Sequence, residues 1–418
     1  MLDKLQNKIY HLLRKSEEYT KTDMVYLAKG GFWLTLGQFI SSGAAFLLAI
    51  AFANLLPKET YGTYRYVLSL VGVLNVFTLS GINTAVIQAV ARKYEAVYWP
   101  SFVAKLRWSL LASLGSLGIA SYYYMGANLT LTISFVMVAV FLPLLRASGL
   151  YIAVLNGRKD FKLSATYNSL VRIVASLVML STLFFTDNIF FILAAFLIPD
   201  SIMQFIFTWV YIKKHPLNKD NDPKTVSYGL NLSAMELLKT IAGQVDKILI
   251  FHYLGAAQLA IYAFTTAPVS QIKSVLLNLK SLALPKLSEV DEKDIKDSFL
   301  QKVRKLEIVV ILIIILYAAL APLLYKFVFP QYIESARYSQ VYVLTLLFFP
   351  RTFLSTVLVA KMKQKELYSI RIISPIFRIV ILFVALKFYG LWGMIIGTII
   401  SEAVLFALYR TYYKKAFS

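Results

Sequence analysis

The 418-residue chain contains no cysteine, so disulfides, thiolate nucleophiles and cysteine-held metal sites are all excluded. Histidine is nearly absent. His11, His215 and His252 stand far apart, which argues against a histidine-based metal centre or catalytic triad. No G-x-x-x-x-G-K-[ST] run occurs, so ATP-driven work would need a separate subunit. Acidic residues are scarce as well, with 22 Asp and Glu set against 43 Lys and Arg. The residues predict neither cofactor nor metal, and no enzyme signature is present. The first 29 residues are polar and charged throughout, unlike a cleavable signal peptide with its apolar centre.

What fills the chain is apolar sequence. The hydrophobic fraction of 58% exceeds the roughly 45–50% of soluble domains, and the mean hydropathy is +0.66. A bilayer core of about 30 Å needs about 20 apolar residues per helix. Runs of that size fall at 30–54, 64–90, 106–125, 130–154, 163–185 and 188–212, then at 229–252, 259–285, 305–328, 336–360, 367–388 and 390–411. The fold class expected is all-α integral membrane, with about twelve transmembrane helices. No intervening polar stretch is long enough to fold as a domain. The expected organisation is an N-terminal segment (1–29), a six-helix bundle (30–212), a cytoplasmic linker (213–228) and a second six-helix bundle (229–418).

Charge placement supports that count. Alternate connections carry the cations: Arg92 and Lys93; Arg158, Lys159 and Lys162; Lys213 to Lys224; Lys286 to Lys305; and Lys361 to Lys365. The other connections are short and nearly free of Lys and Arg. The positive-inside rule then puts both termini in the cytoplasm and requires an even number of spans. A multi-pass protein of the cytoplasmic (inner) membrane is expected. The net charge of +21 is scattered over short loops, which reads as topology with anionic membrane lipid nearby, not as nucleic-acid binding. Leu2, Leu5, Ile9 and Leu12 recur at helical spacing, so the N-terminal segment reads either as an interfacial amphipathic helix or as a polar tail.

A short internal repeat accompanies this plan. The segment Leu56 to Tyr64 aligns without gaps on Leu254 to Tyr262. Each links an odd-numbered run to the next on the outer side. Paired halves related by a pseudo-two-fold repeat are a frequent transporter plan.

Ionisable residues inside the apolar runs carry the functional signal, because each is costly against lipid and by default faces a cavity or a partner. The cations are Arg65, Arg146, Arg172, Lys239, Lys247, Lys273, Lys280, Arg351, Arg371 and Arg378; the acids are Asp200, Glu236, Asp246 and Glu402. The surplus of positive charge rules out complete pairing and predicts a water-filled, cation-lined cavity for an anionic ligand. Arg172, Lys273, Arg351 and Arg378 sit near mid-helix, with Arg146 intermediate, whereas Lys247, Arg371, Arg65 and Lys280 are near enough to helix ends to snorkel. Arginine suits phosphate because its planar fork donates paired hydrogen bonds. Glu236, Lys239 and Asp246 share one stripe of the seventh run, and Arg65, Ser69, Gly72, Asn75 and Asn83 form a polar stripe on the second. Such stripes can equally be interhelical polar glue.

The stretch from Leu48 to Gly81, LAIAFANLLPKETYGTYRYVLSLVGVLNVFTLSG, resembles the first-hairpin signature of polysaccharide flippases. GQVDKILIFHYLGAAQLAIYAFTTAPV, from Gly243 to Val269, resembles it too, with Asp246 in the seventh run and Gly255 and Tyr262 after it. The family is the O-antigen (Wzx-type) oligosaccharide-lipid flippases of the multidrug/oligosaccharidyl-lipid/polysaccharide exporter superfamily. The resemblance carries twelve helices and not the two further C-terminal helices typical of peptidoglycan lipid flippases, which counts against the peptidoglycan precursor as substrate. It implies paired six-helix bundles that alternate between inward-open and outward-open states. The substrate it implies is a polyprenyl-diphosphate-linked oligosaccharide moved to the outer leaflet under an ion gradient or membrane potential. It also implies polysaccharide polymerase or assembly proteins as partners. On this reading Arg172, Lys273, Arg351, Arg378, Arg146 and Lys239 line the substrate cavity. Asp246, Asp200, Glu236 and Glu402 are candidates for the coupling ion.

Two other functions stand beside it. A drug or metabolite exporter of the same superfamily would favour an acidic or aromatic cavity, and the surplus here is positive. A membrane polysaccharide polymerase or glycosyltransferase would need sizeable outer loops, and the outer connections here are only a few residues long.

Overall fold

The computed structural model describes residues 24–289, 292–360 and 364–417. Most of the N-terminal segment for which an amphipathic helix or polar tail is expected lies outside them. The described chain is built from α-helices and short 3-10 turns, with no strand among the described residues. The helices are α1 (Met24–Leu55), α2 (Lys58–Leu74), α3 (Gly81–Ala91), α4 (Tyr98–Met125), α5 (Leu129–Ser148), α6 (Tyr151–Gly157), α7 (Phe161–Phe185) and α8 (Ile189–Lys214). They continue as α9 (Lys224–Ala242), α10 (Val245–Leu254), α11 (Ala256–Glu289), α12 (Glu292–Val328), α13 (Ser335–Tyr342), α14 (Arg351–Ala360) and α15 (Gln364–Phe417).

Each of the twelve apolar runs lies on a helix or on a broken helix pair. Among the described residues, eight helical stretches are long and apolar enough to cross a membrane, and a ninth is made by α2 and α3 together across a 46° bend. The last of the eight, Ser369–Tyr413, holds two runs. Gly390 has φ 55° and ψ −134°, a left-handed conformation that glycine reaches without a Cβ clash, and it divides α15 there. The helices over 224–254 carry Glu236, Lys239, Asp246 and Lys247, which lowers their apolarity. The protein is a multi-pass, all-α membrane protein. Its outward-facing side chains fit that medium, since Leu114, Leu177, Phe185, Phe191 and Leu312 are exposed where a soluble protein would place polar groups.

Two compact units make up the described residues. The first contains those up to Ala51 together with Leu74–Met235; the second contains Phe52–Val73 and those described from Glu236 onward.

In the first unit α4 packs along α5 through small residues. The hydroxyls of Ser113 and Ser116 donate to the carbonyls of Ala139 and Phe135 at 2.6 and 2.7 Å. Small polar residues let helix backbones approach closely where lipid offers no hydrophobic drive for association. A core of Ile82, Val86, Tyr98, Tyr151 and Val154 closes the end of the unit near the basic loops. Helix starts are set by side-chain caps: Asn128 accepts from Leu131 N, Asp160 from Leu163 N and Asn188 from Phe190 N, each satisfying an amide with no intrahelical partner. The basic loops are tied by Arg158, whose fork donates to both carboxylate oxygens of Glu95 at 2.7 and 2.6 Å and to the Pro216 carbonyl. Glu95 in turn accepts from the Asn218 amide at 3.0 Å.

The second unit is organised around α2, α11 and α13. Gly62 of α2 lies against the start of α11 so closely that a Cβ there would sit 1.8 Å from the Ala256 carbonyl oxygen. Only glycine allows that crossing. Beside it Tyr66 stacks on Phe251 with centroids 3.8 Å apart and planes at 9°. Ser335 and Ser339 of α13 donate to the Ile261 and Thr265 carbonyls of α11 at 3.1 and 2.8 Å. Lys58 and Glu334 form an ion pair at the exposed margin.

Candidate functional site

Each unit holds its own cluster of intramembrane charge. In the second unit the cluster begins where α9 stops at Ala242 and α10 starts at Val245. Asp246 therefore stands in the first turn of α10, where unpaired amides favour a carboxylate. Its Oδ1 accepts from the Lys247 amide at 2.9 Å and its Oδ2 from the Tyr262 hydroxyl at 2.9 Å. Arg378 approaches the same carboxylate at 3.8 Å. Lys247 turns back onto the helix break and donates to Gln244 Oε1 at 2.9 Å.

Glu402, 6% exposed, is the second acid of this cluster. Arg351, at the first residue of α14, is ion-paired with it and also donates to its backbone carbonyl at 3.3 Å. Lys273 of α11 stands 3.6 Å from the other carboxylate oxygen. Arg378 lies within electrostatic reach of both Lys273 and Arg351, which joins the two acids into one network. Three of the cations expected to line a substrate cavity are thus gathered around two of the acids expected to carry an ion. Lys273, Arg351 and Arg378 outnumber Asp246 and Glu402, so the network keeps a positive remainder.

The first unit contains a polar cavity of about 430 Å³. Its walls come from the turn after α2 (Asn75, Thr78), from Asn83 of α3, Lys105 of α4, Arg146 of α5, Asn156 of α6, Asn168 of α7 and Gln204 of α8. Lys105 is only 4% exposed, and its ammonium donates to Asn83 Oδ1 at 2.8 Å. Arg146 is within electrostatic reach of Lys105, Asp200 and Arg172. Asp200 accepts from Gln204 Nε2 at 2.9 Å. Three buried atoms on this wall have no hydrogen-bond partner: Arg146 Nε, Asn75 Oδ1 and Asn156 Oδ1.

Among the remaining candidates, Glu236 and Lys239 are exposed on the last turns of α9, while Arg172, exposed on α7, flanks the first cluster within electrostatic reach of Arg146. Lys105 is absent from the sequence-derived set because the hydropathy run begins at 106, while the helix begins at Tyr98. Pro100 carries the missing signal, since proline favours the first turn of a helix and marks a start upstream of the lysine.

A family model for polysaccharide biosynthesis proteins matches residues 27–291. A search of curated proteins returns no significant match. Among solved structures, the lipid II flippase MurJ in an inward closed conformation is similar with a TM-score of 0.69 and 14% identity, covering 91% of this chain and 87% of that one. An outward-facing multidrug resistance MATE family transporter of the MOP superfamily gives 0.59 and 15% over 93% and 96%. A MOP superfamily transporter from Pyrococcus furiosus gives 0.58 and 15% over 92% and 96%. At these identities the likeness is one of fold.

Proposed function

The chain belongs to the polysaccharide biosynthesis protein family, and from that footing we propose that it is a flippase for a polyprenyl-diphosphate-linked oligosaccharide. On this reading it carries the precursor from the inner to the outer leaflet of the cytoplasmic membrane by alternating access of two bundles, 30–212 and 229–418. Both termini lie in the cytoplasm, and polysaccharide polymerase or assembly proteins receive the product. The observation that carries the reading is Glu402, buried between Arg351 and Lys273. A diphosphate presents negative charge and acceptor oxygens as that carboxylate does, and carries more of both, so it competes for the same two cations. Displaced from them, Glu402 becomes a buried unpaired carboxylate, and such a group gains a proton or a sodium ion readily. Substrate arrival and ion uptake are then two halves of one exchange, with Asp246, Arg378 and Tyr262 as a second carboxylate–cation set in the same network. Lipid surrounds the prenyl tail throughout.

The test is translocation of a lipid-linked oligosaccharide in proteoliposomes under an imposed proton or sodium gradient. Glu402→Gln, which keeps the shape and removes the charge, is expected to translocate without acceleration by the gradient. Gradient-driven transport unchanged in Glu402→Gln removes the exchange. Absence of translocation with every polyprenyl-diphosphate donor, together with efflux of a cationic drug, favours an exporter.

A further inference from the structure

The cavity of the first unit differs in chemistry from the network around Glu402. It joins two cations to a wall of carboxamides, and part of its hydrogen-bonding capacity is unspent. A carboxamide presents one donor edge and one acceptor edge whichever way it is turned. Asn75 and Asn156 each leave a buried oxygen unsatisfied, and Arg146 leaves a buried N–H. A diphosphate offers acceptors only and would leave the amide oxygens unanswered. A neutral sugar offers hydroxyls to the amides but only neutral acceptors, and no countercharge, to the Lys105 ammonium and the Arg146 guanidinium. A sugar ring bearing a carboxylate supplies both, with anionic acceptors at one edge and hydroxyl donors along the rest. The volume of about 430 Å³ lies within the roughly 300–1,000 Å³ typical of small-molecule sites.

We propose that this cavity binds a carboxylated sugar residue of the carried glycan, with Lys105 and Arg146 meeting the carboxylate and Asn75 and Asn156 reading the neighbouring hydroxyls. The assignment rests on the flippase reading and deepens it. The first unit selects the glycan by an acidic sugar, while the second unit handles the diphosphate and the coupling ion. Lys105 is held in place by Asn83, and the one charge of Asp200, the acid within reach of Arg146, cannot offset both cations. A positive remainder is therefore left for a ligand.

Binding to the full-length protein in lipid nanodiscs tests this, read by saturation-transfer NMR titration with methyl glucuronide, methyl glucoside and inorganic pyrophosphate. Methyl glucuronide is expected to bind roughly tenfold or more tightly than methyl glucoside, from the charged hydrogen bonds alone. Lys105→Met should erase that preference while leaving pyrophosphate binding unchanged. Equal binding of the two sugars, or displacement of glucuronide by pyrophosphate, overturns the assignment. If Lys105→Met does not fold, Asn156→Asp, which sets a like charge beside the carboxylate, must weaken glucuronide and spare glucoside; unchanged glucuronide binding there also overturns it. Failure of the flippase reading looks different: glucuronide still binds, and no lipid-linked oligosaccharide crosses the membrane.

Discussion

Arg351 and Glu402, 51 residues apart in sequence, meet twice: the guanidinium pairs with the carboxylate and also donates to the Glu402 backbone carbonyl at 3.3 Å. Both side chains are largely buried, 13% and 7% exposed. Removing one partner leaves an uncompensated charge, so Arg351→Met or Glu402→Leu alone is expected to destabilise by about 3–5 kcal/mol, whereas the double variant recovers most of that loss. Thermal unfolding of the purified variants in one detergent measures it. Additive losses in the double variant would show that the two groups do not compensate each other.

The close crossing at Gly62 gives a second expectation. A methyl group at that position meets the Ala256 carbonyl at 1.8 Å, so Gly62→Ala should force α2 away from α11 at about 1–3 kcal/mol. Gly43→Ala, where a Cβ meets nothing within 4 Å, is the matched control. Its unfolding midpoint should stay at the wild-type value or rise.

A third concerns acid. The double hydrogen bond from Arg158 holds the Glu95 carboxyl below its ordinary 4.5, against the opposing effect of burial. A carboxyl with a lowered folded-state value binds more protons when unfolded. Its contribution to stability is therefore complete above about pH 4.5 and is lost as pH falls through the folded value. Glu95→Gln should flatten the decline of the unfolding midpoint on acidification below about pH 5. An unchanged acid slope would assign the sensitivity to other carboxyls.

A fourth follows from Asp246. Tyr262→Phe deletes the 2.9 Å hydrogen bond to its carboxylate, a charged bond of about 1.5–3 kcal/mol. The variant should lose that much stability at neutral pH, and less in an Asp246→Asn background. A loss of equal size in both backgrounds would show that the hydroxyl serves something other than the carboxylate.

Much of this was legible in the sequence, and what was not has identifiable causes. The twelve apolar runs became helices because about 20 apolar residues leave the backbone no other way to satisfy its polar groups in lipid. The boundary between the last two runs is legible at Tyr389, one residue before the Gly390 break. Arg146, Asn75 and Asn83 were flagged by depth and helical phase, and they line one cavity. The pairing of Arg351 with Glu402 and of Arg378 with Asp246 was beyond reach, since the partners stand 51 or more residues apart and nothing local encodes the meeting. Lys105 was lost for a different reason. Averaged hydropathy places a helix edge where charge appears, so a buried lysine in the second turn of α4 is read as loop.

Translocation of a polyprenyl-diphosphate-linked acidic oligosaccharide in proteoliposomes, comparing wild type with Arg172→Ala and Arg351→Ala, bears most directly on the account. Wild type should move the substrate to the opposite leaflet. Arg351→Ala, which removes a cation from the network around Glu402, should lower the rate by roughly tenfold or more, and Arg172→Ala should lower it too. Full activity in both variants would contradict a cationic substrate site.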